Sequence, residues 1–412
     1  MLHFESDYTE GAHPAILRAL QDTNLEQTTG YGMDHHCHHA AQLIQEALQA
    51  PHADIHFLVG GTQTNKLVIS SILRPHQGVI AADTAHIAQH ESGAIENTGH
   101  KVLTLPTTDG KITAPQVQAL LEEHETDEAR EHTVQPAMLY ISWPTELGTL
   151  YTKAELTALR TLCNQWQLPL FIDGARMGYG LASPDADLTF PDFARLADVF
   201  YIGGTKVGAL FGEAIVLCNP TLKQDFRYLI KQQGGMLAKG RLLGLQFKTL
   251  FTPLSQLPTS QTSNHTAPQA PTASQETATS QEFAAPDTHA PIQEASTTTQ
   301  EASITTQEIP NPIQEVSITS PHLEPLYLTI SRHAIAMAHR IREALVSKGY
   351  SLHYPPQTNL LFILVPNTLL PRLQEKYTFS TIARPNATHT LLRIVTSWAT
   401  TEEAVTQLIQ DL

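Results

Sequence analysis

The sequence predicts an α/β protein with a mainly parallel central sheet, followed by a smaller α+β unit at the C-terminal end. Between residues 53 and 218, short apolar runs alternate with segments of helical spacing, which is the βα rhythm of a parallel sheet. The run 168–173 ends in Asp173, and the run 198–203 is followed closely by Lys206. After residue 322, a helical stripe and two further strand-like runs close the chain.

Composition narrows the class of protein. The formal net charge of -15 over 412 residues argues against a nucleic-acid groove or a patch for anionic membranes. No apolar run reaches the roughly 18 residues that a membrane helix needs, and the first residues lack the basic and apolar parts of a signal peptide. Three scattered cysteines do not make a disulfide framework, so we expect a reduced cytoplasm.

The apolar runs and the helical patterns set the expected order of elements. We expect strands at 53–59, 78–83, 101–105, 138–142, 168–173, 198–203, 214–218, 359–365 and 388–396. We expect helices that begin near His13 and Pro14, and over 40–48, 67–73, 113–123, 153–167 and much of 323–349.

Four segments follow from these patterns. Residues 1–12 are a short polar segment, which we expect to join the active site, and residues 13–251 form the large domain. Residues 252–321 are rich in Ser, Thr, Gln and Pro and carry no Lys or Arg, a composition that predicts a disordered insertion. Residues 322–412 form the small C-terminal domain.

Asp173 and Lys206 predict the chemistry. Ligands of open α/β sheets collect at the carboxyl ends of the strands, so both side chains belong to one crevice. A carboxylate that keeps a pyridine nitrogen protonated and a lysine amine are what pyridoxal phosphate (PLP) requires. The turn that contains Gly61 and Thr62 joins a strand to a helix, where free backbone N–H groups suit a phosphate, although a tight turn explains the glycines equally well.

Two further residues have two readings each. His86 follows a strand end, where an imidazole stacks on a ring or exchanges a proton, or is satisfied by neighbouring backbone. Arg393 lies inside an apolar strand, where a guanidinium needs an anion. That anion is either a structural carboxylate or the carboxylate of a substrate.

The run His35-His36-Cys37-His38-His39 has the composition of a metal site. Adjacent residues of a helix point in different directions, and zinc ligands are usually spaced more widely. The interpretation that the run favours is a solvated helix start, and we expect no metal site.

Six motifs together resemble the threonine aldolase family, fold-type-I PLP enzymes of the aromatic β-eliminating lyase group. The resemblance covers both ends of the chain and omits the insertion. It rests on Ser6-Asp7-x-Thr9, Gly61-Thr62-Gln63-x-Asn65, Ala85-His86, Asp173-Gly-Ala-Arg176, Thr205-Lys206 and Arg393-x-Val-Thr.

The resemblance implies roles for these residues. Lys206 would carry the cofactor, Asp173 would pair with its ring nitrogen, and His86 would stack on the ring. The other implied roles are phosphate binding by Gly61, Thr62 and Thr205, and binding of the substrate carboxylate and cofactor oxygens by Ser6, Arg176 and Arg393. Tyr31, Lys239 and Arg241 lie in segments that reach a neighbouring subunit in the family, so we expect a homodimer or homotetramer with shared sites.

One position departs from the family pattern. Many members carry a histidine where this chain has Glu146, and that histidine helps to hold the substrate hydroxyl. Glu146 can accept the same hydrogen bond, but its charge alters the base chemistry. The base that removes the hydroxyl proton is therefore His86, His90, Glu146 or a water.

The expected reaction is retro-aldol cleavage of a β-hydroxy amino acid, threonine or allo-threonine, to glycine and an aldehyde. Another PLP reaction, β-elimination or racemisation, uses the same residues, because the cofactor stores the electrons. A binding protein that keeps the fold without catalysis is the third reading, and it predicts that no cofactor is bound.

Overall fold

The structure is a computed structural model and describes residues 1–257 and 324–412. The expected insertion over 252–321 lies outside the described residues from position 258 onward. Its first residues are described, and they contain a 3-10 turn at Leu254–Gln256 and a bridge from Pro253 to Pro325.

The strands of the described residues are β1 Leu2–His3, β2 Asp54–Leu58, β3 Gln77–Ala82, β4 Val102–Leu105, β5 Gln135–Ser142, β6 Leu170–Asp173, β7 Val199–Gly203, β8 Glu213–Leu217, β9 Leu360–Pro366, β10 Tyr377–Thr378, β11 Ser380–Ala383 and β12 His389–Val395. The helices are α1 Pro14–Asp22, α2 His35–Leu48, α3 Gly61–Ile72, α4 His86–Gln89, α5 Ala114–Thr126, α6 Lys153–Trp166, α7 Met177–Ala182, α8 Phe190–Leu196, α9 Phe226–Gln232, α10 Arg241–Phe251, α11 Leu326–Ser347, α12 Leu370–Gln374 and α13 Glu402–Asp411.

The central sheet has the order β2-β8-β7-β6-β5-β3-β4 within the described residues. Neighbours from β7 to β4 pair in parallel, whereas β8 runs antiparallel to both β7 and β2. β5 to β8 are almost wholly buried, which is why they read as continuous apolar runs rather than alternating ones. The predicted mainly parallel α/β sheet is confirmed.

Local sequence signals place several helix starts. Thr113 and Gln116 form a capping box at α5, and Thr152 and Glu155 form another at α6. Asp34 accepts a hydrogen bond from the backbone N–H of Cys37 and so starts α2 at His35. Each cap satisfies backbone donors that a helix start leaves without intrahelical partners.

The C-terminal residues form a smaller α+β unit around an antiparallel sheet of order β11-β12-β9. Its apolar core contains the C-terminal half of α11 together with α13. The N-terminal half of α11 packs instead into the core of the central sheet. β1 pairs with β10, which ties the first residues of the chain to this unit.

Three details differ from the sequence expectations. α3 begins at Gly61, six residues before its apolar stretch, because the polar residues after the turn are already helical. α2 begins at His35, and the expected solvated start is wrong for His36 and Cys37, which are buried. The short strands β1, β10 and β11 were not predicted. Along the described ranges, no helix has the length and apolarity required to cross a membrane.

Candidate active site

Asp173 and Lys206 belong to segments that leave neighbouring strands at the same edge of the sheet. Asp173 is the last residue of β6, and Lys206 follows β7 by three residues. The N–H of Gly203 donates to the carbonyl of Gly174 at 2.9 Å. A Cβ at Gly203 would lie 2.2 Å from the carbonyl oxygen of Ala175, so only glycine allows these backbones to approach this closely.

The carboxylate of Asp173 is buried and accepts hydrogen bonds on both oxygens. The hydroxyl of Tyr201 donates to Oδ1 and that of Tyr140 to Oδ2, each at 2.5 Å. The backbone N–H of Ala175 donates to Oδ1 at 3.0 Å, and the Asn65 amide donates to Oδ2 at 3.2 Å. Burial alone raises the pKa of Asp173, but nearby His86 and these donors outweigh burial and leave the pKa below its usual value.

His86, at the start of α4, lies between two carboxylates. Its Nε2 is 3.7 Å from Glu91 Oε1, and its Nδ1 is 3.8 Å from Glu146 Oε1. The Glu91 side chain is fully buried and also accepts from the amide of Asn65 at 3.0 Å. The His90 ring is 5.7 Å from that of His86, centroid to centroid. Asn65 thus links the carboxylate of Asp173 to that of Glu91, which lies next to the His86 imidazole.

Arg176 is a buried guanidinium held mainly by a residue of the N-terminal segment. Its Nε and Nη2 donate to the two oxygens of Asp7 at 2.7 and 3.0 Å. The same carboxylate accepts from the amide of Asn359 at 3.0 Å, and Glu146 lies 4.0 Å from Arg176 on the other side. Burial raises the pKa of Asp7, but Arg176 and Lys206 outweigh it, so this carboxylate stays ionised.

Arg393 projects from β12 toward the same region without a carboxylate partner. Among the described residues no carboxylate oxygen lies within 4.0 Å of its guanidinium. Its Nη2 makes long contacts, 3.4 Å to the Glu5 carbonyl and 3.3 Å to the Ser380 hydroxyl, and its buried Nε has no hydrogen-bond partner. Burial and the charge of Arg176 lower the pKa of Arg393. Of the two readings from sequence, this favours an anionic ligand over a structural salt bridge.

A second buried carboxylate, Glu213 at the start of β8, lies beside the Lys206 segment. The N–H of Gly204 donates to its Oε2 at 3.0 Å, and the Thr205 hydroxyl donates to its Oε1 at 2.8 Å. Burial raises the pKa of Glu213 to about 7, against the opposing effect of Lys206. Thr205 is therefore engaged by Glu213 as well as lying at the expected phosphate position.

Gly61 and Thr62 form the first turn of α3, directly after β2. No side chain caps this helix, so its first backbone N–H groups have no capping acceptor. Both residues line one cleft together with Gln63 and Gln233. The positive end of a helix at this position suits a phosphate group.

Tyr31 lies in the loop before α2, and Lys239 and Arg241 lie at the start of α10. The N–H of Tyr31 donates to the carbonyl of Ala238 at 3.1 Å, and its ring lies 4.8 Å from the Lys231 ammonium. Arg241 donates from Nη1 to the carbonyl of Thr23 at 2.7 Å. The expected reach of this group into a neighbouring subunit is a property of an assembly and stays a prediction.

Sequence reasoning did not assign roles to several residues of this site. They are Asp7, Asn65, Glu91, Tyr140, Tyr201 and Glu213. One signal was present for the two tyrosines, because a hydroxyl inside a buried apolar strand needs a hydrogen-bond partner. Which carboxylate they reach depends on strand order and register, which the sequence pattern does not specify.

The fold and the residues at this edge of the sheet identify the class of protein. The structure superposes on aspartate aminotransferase from Thermus thermophilus with a TM-score of 0.61 at 13% identity, covering all of this chain and 90% of that one. At that identity the likeness shows the fold, which is that of the fold-type-I enzymes. The sequence profile of the beta-eliminating lyase family matches residues 3–351. The chain belongs to this family of lyases.

Relatives with closer sequences share a description. A low specificity L-threonine aldolase from Pseudomonas sp. is 31% identical over 269 residues, 64% of this chain and 75% of that protein. One from Pseudomonas aeruginosa is 30% identical over 58% of this chain and 68% of its own. A solved threonine aldolase from Leishmania major is 36% identical, with a TM-score of 0.79, and covers 100% of this chain and 98% of that one. The resemblance seen in the sequence is thereby confirmed.

Proposed function

We propose that this protein is a PLP-dependent lyase that cleaves L-threonine or L-allo-threonine to glycine and an aldehyde. The observation that carries the proposal is the buried, multiply hydrogen-bonded carboxylate of Asp173 at the same sheet edge as Lys206. The relatives described as threonine aldolases support the substrate class.

The residues present fit PLP. Lys206 would supply the amine that attaches the cofactor, and Asp173 would face its ring nitrogen as an ionised carboxylate. His86 would lie against the ring, while Gly61, Thr62 and Thr205 would hold the phosphate. When bound, PLP supplies an acceptor for the electrons released as a bond to Cα breaks.

The substrate carboxylate would bind at Arg393. Its guanidinium has an unpartnered Nε and no carboxylate within 4.0 Å among the described residues, so an incoming carboxylate satisfies donors that the protein leaves open. Ser6 lies next to Glu5, whose carbonyl Arg393 contacts. Arg176 is paired with Asp7, so its contribution is a positive charge held at a fixed position.

The hydroxyl proton of the substrate would pass to the pair formed by His86 and Glu146. Their nearest atoms, Nδ1 of His86 and Oε1 of Glu146, lie 3.8 Å apart, which supports a shared role for the imidazole and the carboxylate. Once that proton is removed, the Cα–Cβ bond can break and the aldehyde can leave. Glu146 also lies 4.0 Å from Arg176, which counters its charge.

The lysine and arginine at positions 239 and 241, with Tyr31, would serve a neighbouring subunit in a homodimer or homotetramer. The family resemblance supports this assembly. A cytoplasmic location is also part of the proposal, and the three free cysteines, which fit a reducing compartment, support it.

Aldehyde release from L-threonine and L-allo-threonine, followed with a coupled alcohol dehydrogenase, tests the proposal. We expect aldehyde from the wild-type enzyme and none from Lys206→Ala, which also loses the visible absorbance of bound cofactor. Lys101→Ala is the matched control, since Lys101 is exposed at the far edge of the sheet. Pyruvate or a D-amino acid without aldehyde would support β-elimination or racemisation. Absence of both product and cofactor would support the binding protein.

Arg393→Gln tests the carboxylate site. Hydrogen bonds to charged groups contribute about 1.5–3 kcal/mol, so we expect KM for threonine to rise about 10- to 100-fold. Arg384→Gln, which changes an exposed arginine near the same sheet, should leave KM unchanged. Equal KM values for the two variants would remove Arg393 from substrate binding.

A further inference from the structure

One carboxylate and two imidazoles converge at the start of α2. Oε1 of Glu26 lies 3.1 Å from Nε2 of His35, and Oε2 lies 2.9 Å from Nε2 of His36. One donor atom from each of the three residues lies within 4.8 Å of the other two. The two imidazole rings are 4.0 Å apart, centroid to centroid.

The third member of this group comes from a different segment than the histidine run. Adjacent helical residues are rotated by about 100°, which argued against a site made from the run alone. Glu26 follows a turn whose Thr23 and Asn24 carbonyls accept from Arg241. That anchored turn places one carboxylate against both rings.

The other members of the run are not part of the group. The Cys37 thiol points toward the Gly240 carbonyl, with Sγ 3.5 Å from the oxygen. That thiol is buried and is not among the three donors that converge. His38 and His39 are exposed. The donors are therefore two imidazole nitrogens and one carboxylate.

We propose that Glu26, His35 and His36 bind a divalent transition-metal ion of the zinc class, with water as the remaining ligand. Two histidines and one glutamate are an established donor set for tetrahedral zinc with one open position. A bound ion would clamp the turn that contains Glu26 to the first turn of α2.

Two charges oppose a cation here. The N-terminal end of α2 is the positive end of its dipole, and Arg241 carries a positive charge near Glu26. The dipole effect at a partly exposed helix end is small compared with three metal–ligand bonds. The guanidinium of Arg241 donates its hydrogen bonds to the carbonyls of the turn, not to Glu26.

Zinc titration of the full-length protein, freed of metal with a chelator, tests the site. The chain has 21 histidines in all. A chromophoric chelator that competes for zinc prevents weak binding to the histidines outside the site from being counted. We expect one tight zinc per chain and a rise in Tm on adding zinc. Glu26→Gln keeps the side-chain volume, and His35→Ala removes an exposed ring. Each should weaken zinc binding by about 100-fold or more and remove the Tm rise.

His38→Ala and His39→Ala are matched controls from the same run, and both should bind zinc as the wild type does. Cobalt bound in place of zinc should give the visible bands of a tetrahedral ion in the wild type. Neither Glu26→Gln nor His35→Ala should show these bands. The proposal is overturned if Glu26→Gln and His35→Ala bind zinc like the wild type, or if the control variants lose it equally. Because the readouts are metal content and spectra, they do not depend on aldolase activity.

Discussion

Asp173 and Glu213 are both buried carboxylates of the central sheet, on β6 and β8, with β7 between them. Asp173 accepts from two tyrosine hydroxyls, a backbone N–H and an amide, and its pKa is lowered. Glu213 accepts from one hydroxyl and one backbone N–H, and burial raises its pKa to about 7. Both carboxylates are buried, so their surroundings decide the charge. His86 and four donors outweigh the burial of Asp173, whereas Lys206 and two donors do not outweigh that of Glu213.

This difference matches the role proposed for Asp173 and the position of Glu213 beside Thr205. A carboxylate that must face a protonated ring nitrogen needs its charge at every working pH, and four protein donors stabilise that charge. Glu213, in contrast, contacts Thr205 and lies near the segment that would hold a phosphate. There a neutral carboxyl group repels a phosphate less than an ionised one does.

The largest expected effect is that of Asp173→Asn on turnover. Asparagine has no charge to face the ring nitrogen, and loss of such an electrostatic contact lowers kcat by about 10²–10³-fold. Cofactor absorbance should remain, since Lys206 is intact. Glu213→Gln should lower kcat less, because Glu213 does not face that nitrogen. Unchanged turnover in Asp173→Asn would remove this carboxylate from the mechanism.

The next effect is that of Glu213→Gln on the pH dependence of stability. The pKa of Glu213 is about 7 in the folded protein, against 4.5 as its ordinary value. Between these values the folded state holds a proton that the unfolded state has lost, so the wild type loses stability as pH rises from 4.5 to 7. The two pKa values limit that loss to about 3 kcal/mol. Glu213→Gln should not show it.

Urea unfolding at pH 5 and pH 8 measures this difference. Glu403→Gln, a change at an exposed glutamate of α13, is the control and should follow the wild type. A constant difference in unfolding free energy between Glu213→Gln and the wild type at the two pH values would mean that Glu213 keeps its ordinary pKa.

Tyr140→Phe and Tyr201→Phe reduce the number of donors at Asp173. A hydrogen bond to a charged group contributes about 1.5–3 kcal/mol, so each variant should lose about that much unfolding free energy at pH 7. The lowered pKa of Asp173 stabilises the fold above the ordinary pKa of the residue, and that contribution is lost as pH falls through the folded value. The deficit should therefore shrink as the pH falls below about 4.

Tyr327→Phe provides the matched control for these variants. Its hydroxyl is also buried, but it donates to the Gly203 carbonyl and accepts from the Gly178 N–H, and both of these groups are neutral. Each of the two hydrogen bonds contributes about 0.5–1.5 kcal/mol, so the expected loss is about 1–3 kcal/mol and does not depend on pH. A deficit for Tyr201→Phe that stays constant down to pH 3 would show that its hydroxyl does not act on the charge of Asp173.

The sequence predicted that Asp173 and Lys206 follow strands that end at the same edge of the sheet, but not the donors that distinguish Asp173 from Glu213. The shared edge follows from a general rule, because parallel strands end at one edge of their sheet. The contact between Asp7 and Arg176 joins residues 169 positions apart, and that between Asn65 and Asp173 joins residues 108 apart. Such pairs depend on strand order and side-chain direction, which apolar periodicity leaves open.

The start of α3 shows the same limit at the level of the backbone. The residues Gly61 to Asn65 are polar and small, so no apolar stripe marks them as helical. They are helical because β2 ends directly before them and α3 packs its later apolar residues on the sheet. The family resemblance implied a phosphate-binding role there, which stays a prediction, whereas periodicity alone placed the helix start too late.

The smallest expected effect is that of Thr205→Val on the titration of Glu213. Valine keeps the branched shape but removes the hydroxyl that donates to Oε1, while Gly204 still donates to Oε2. Losing one donor to the ionised form should raise the pKa of Glu213 by up to about one unit.

The Thr205 hydroxyl also accepts from the Gly212 N–H, and that loss lowers stability equally at every pH. The midpoint of the pH-dependent change in unfolding free energy, measured without PLP, therefore isolates the effect on Glu213. Thr205→Ser keeps the hydroxyl and should keep the wild-type midpoint. A shared midpoint for all three proteins would mean that the Thr205 hydroxyl does not contribute to the pKa of Glu213.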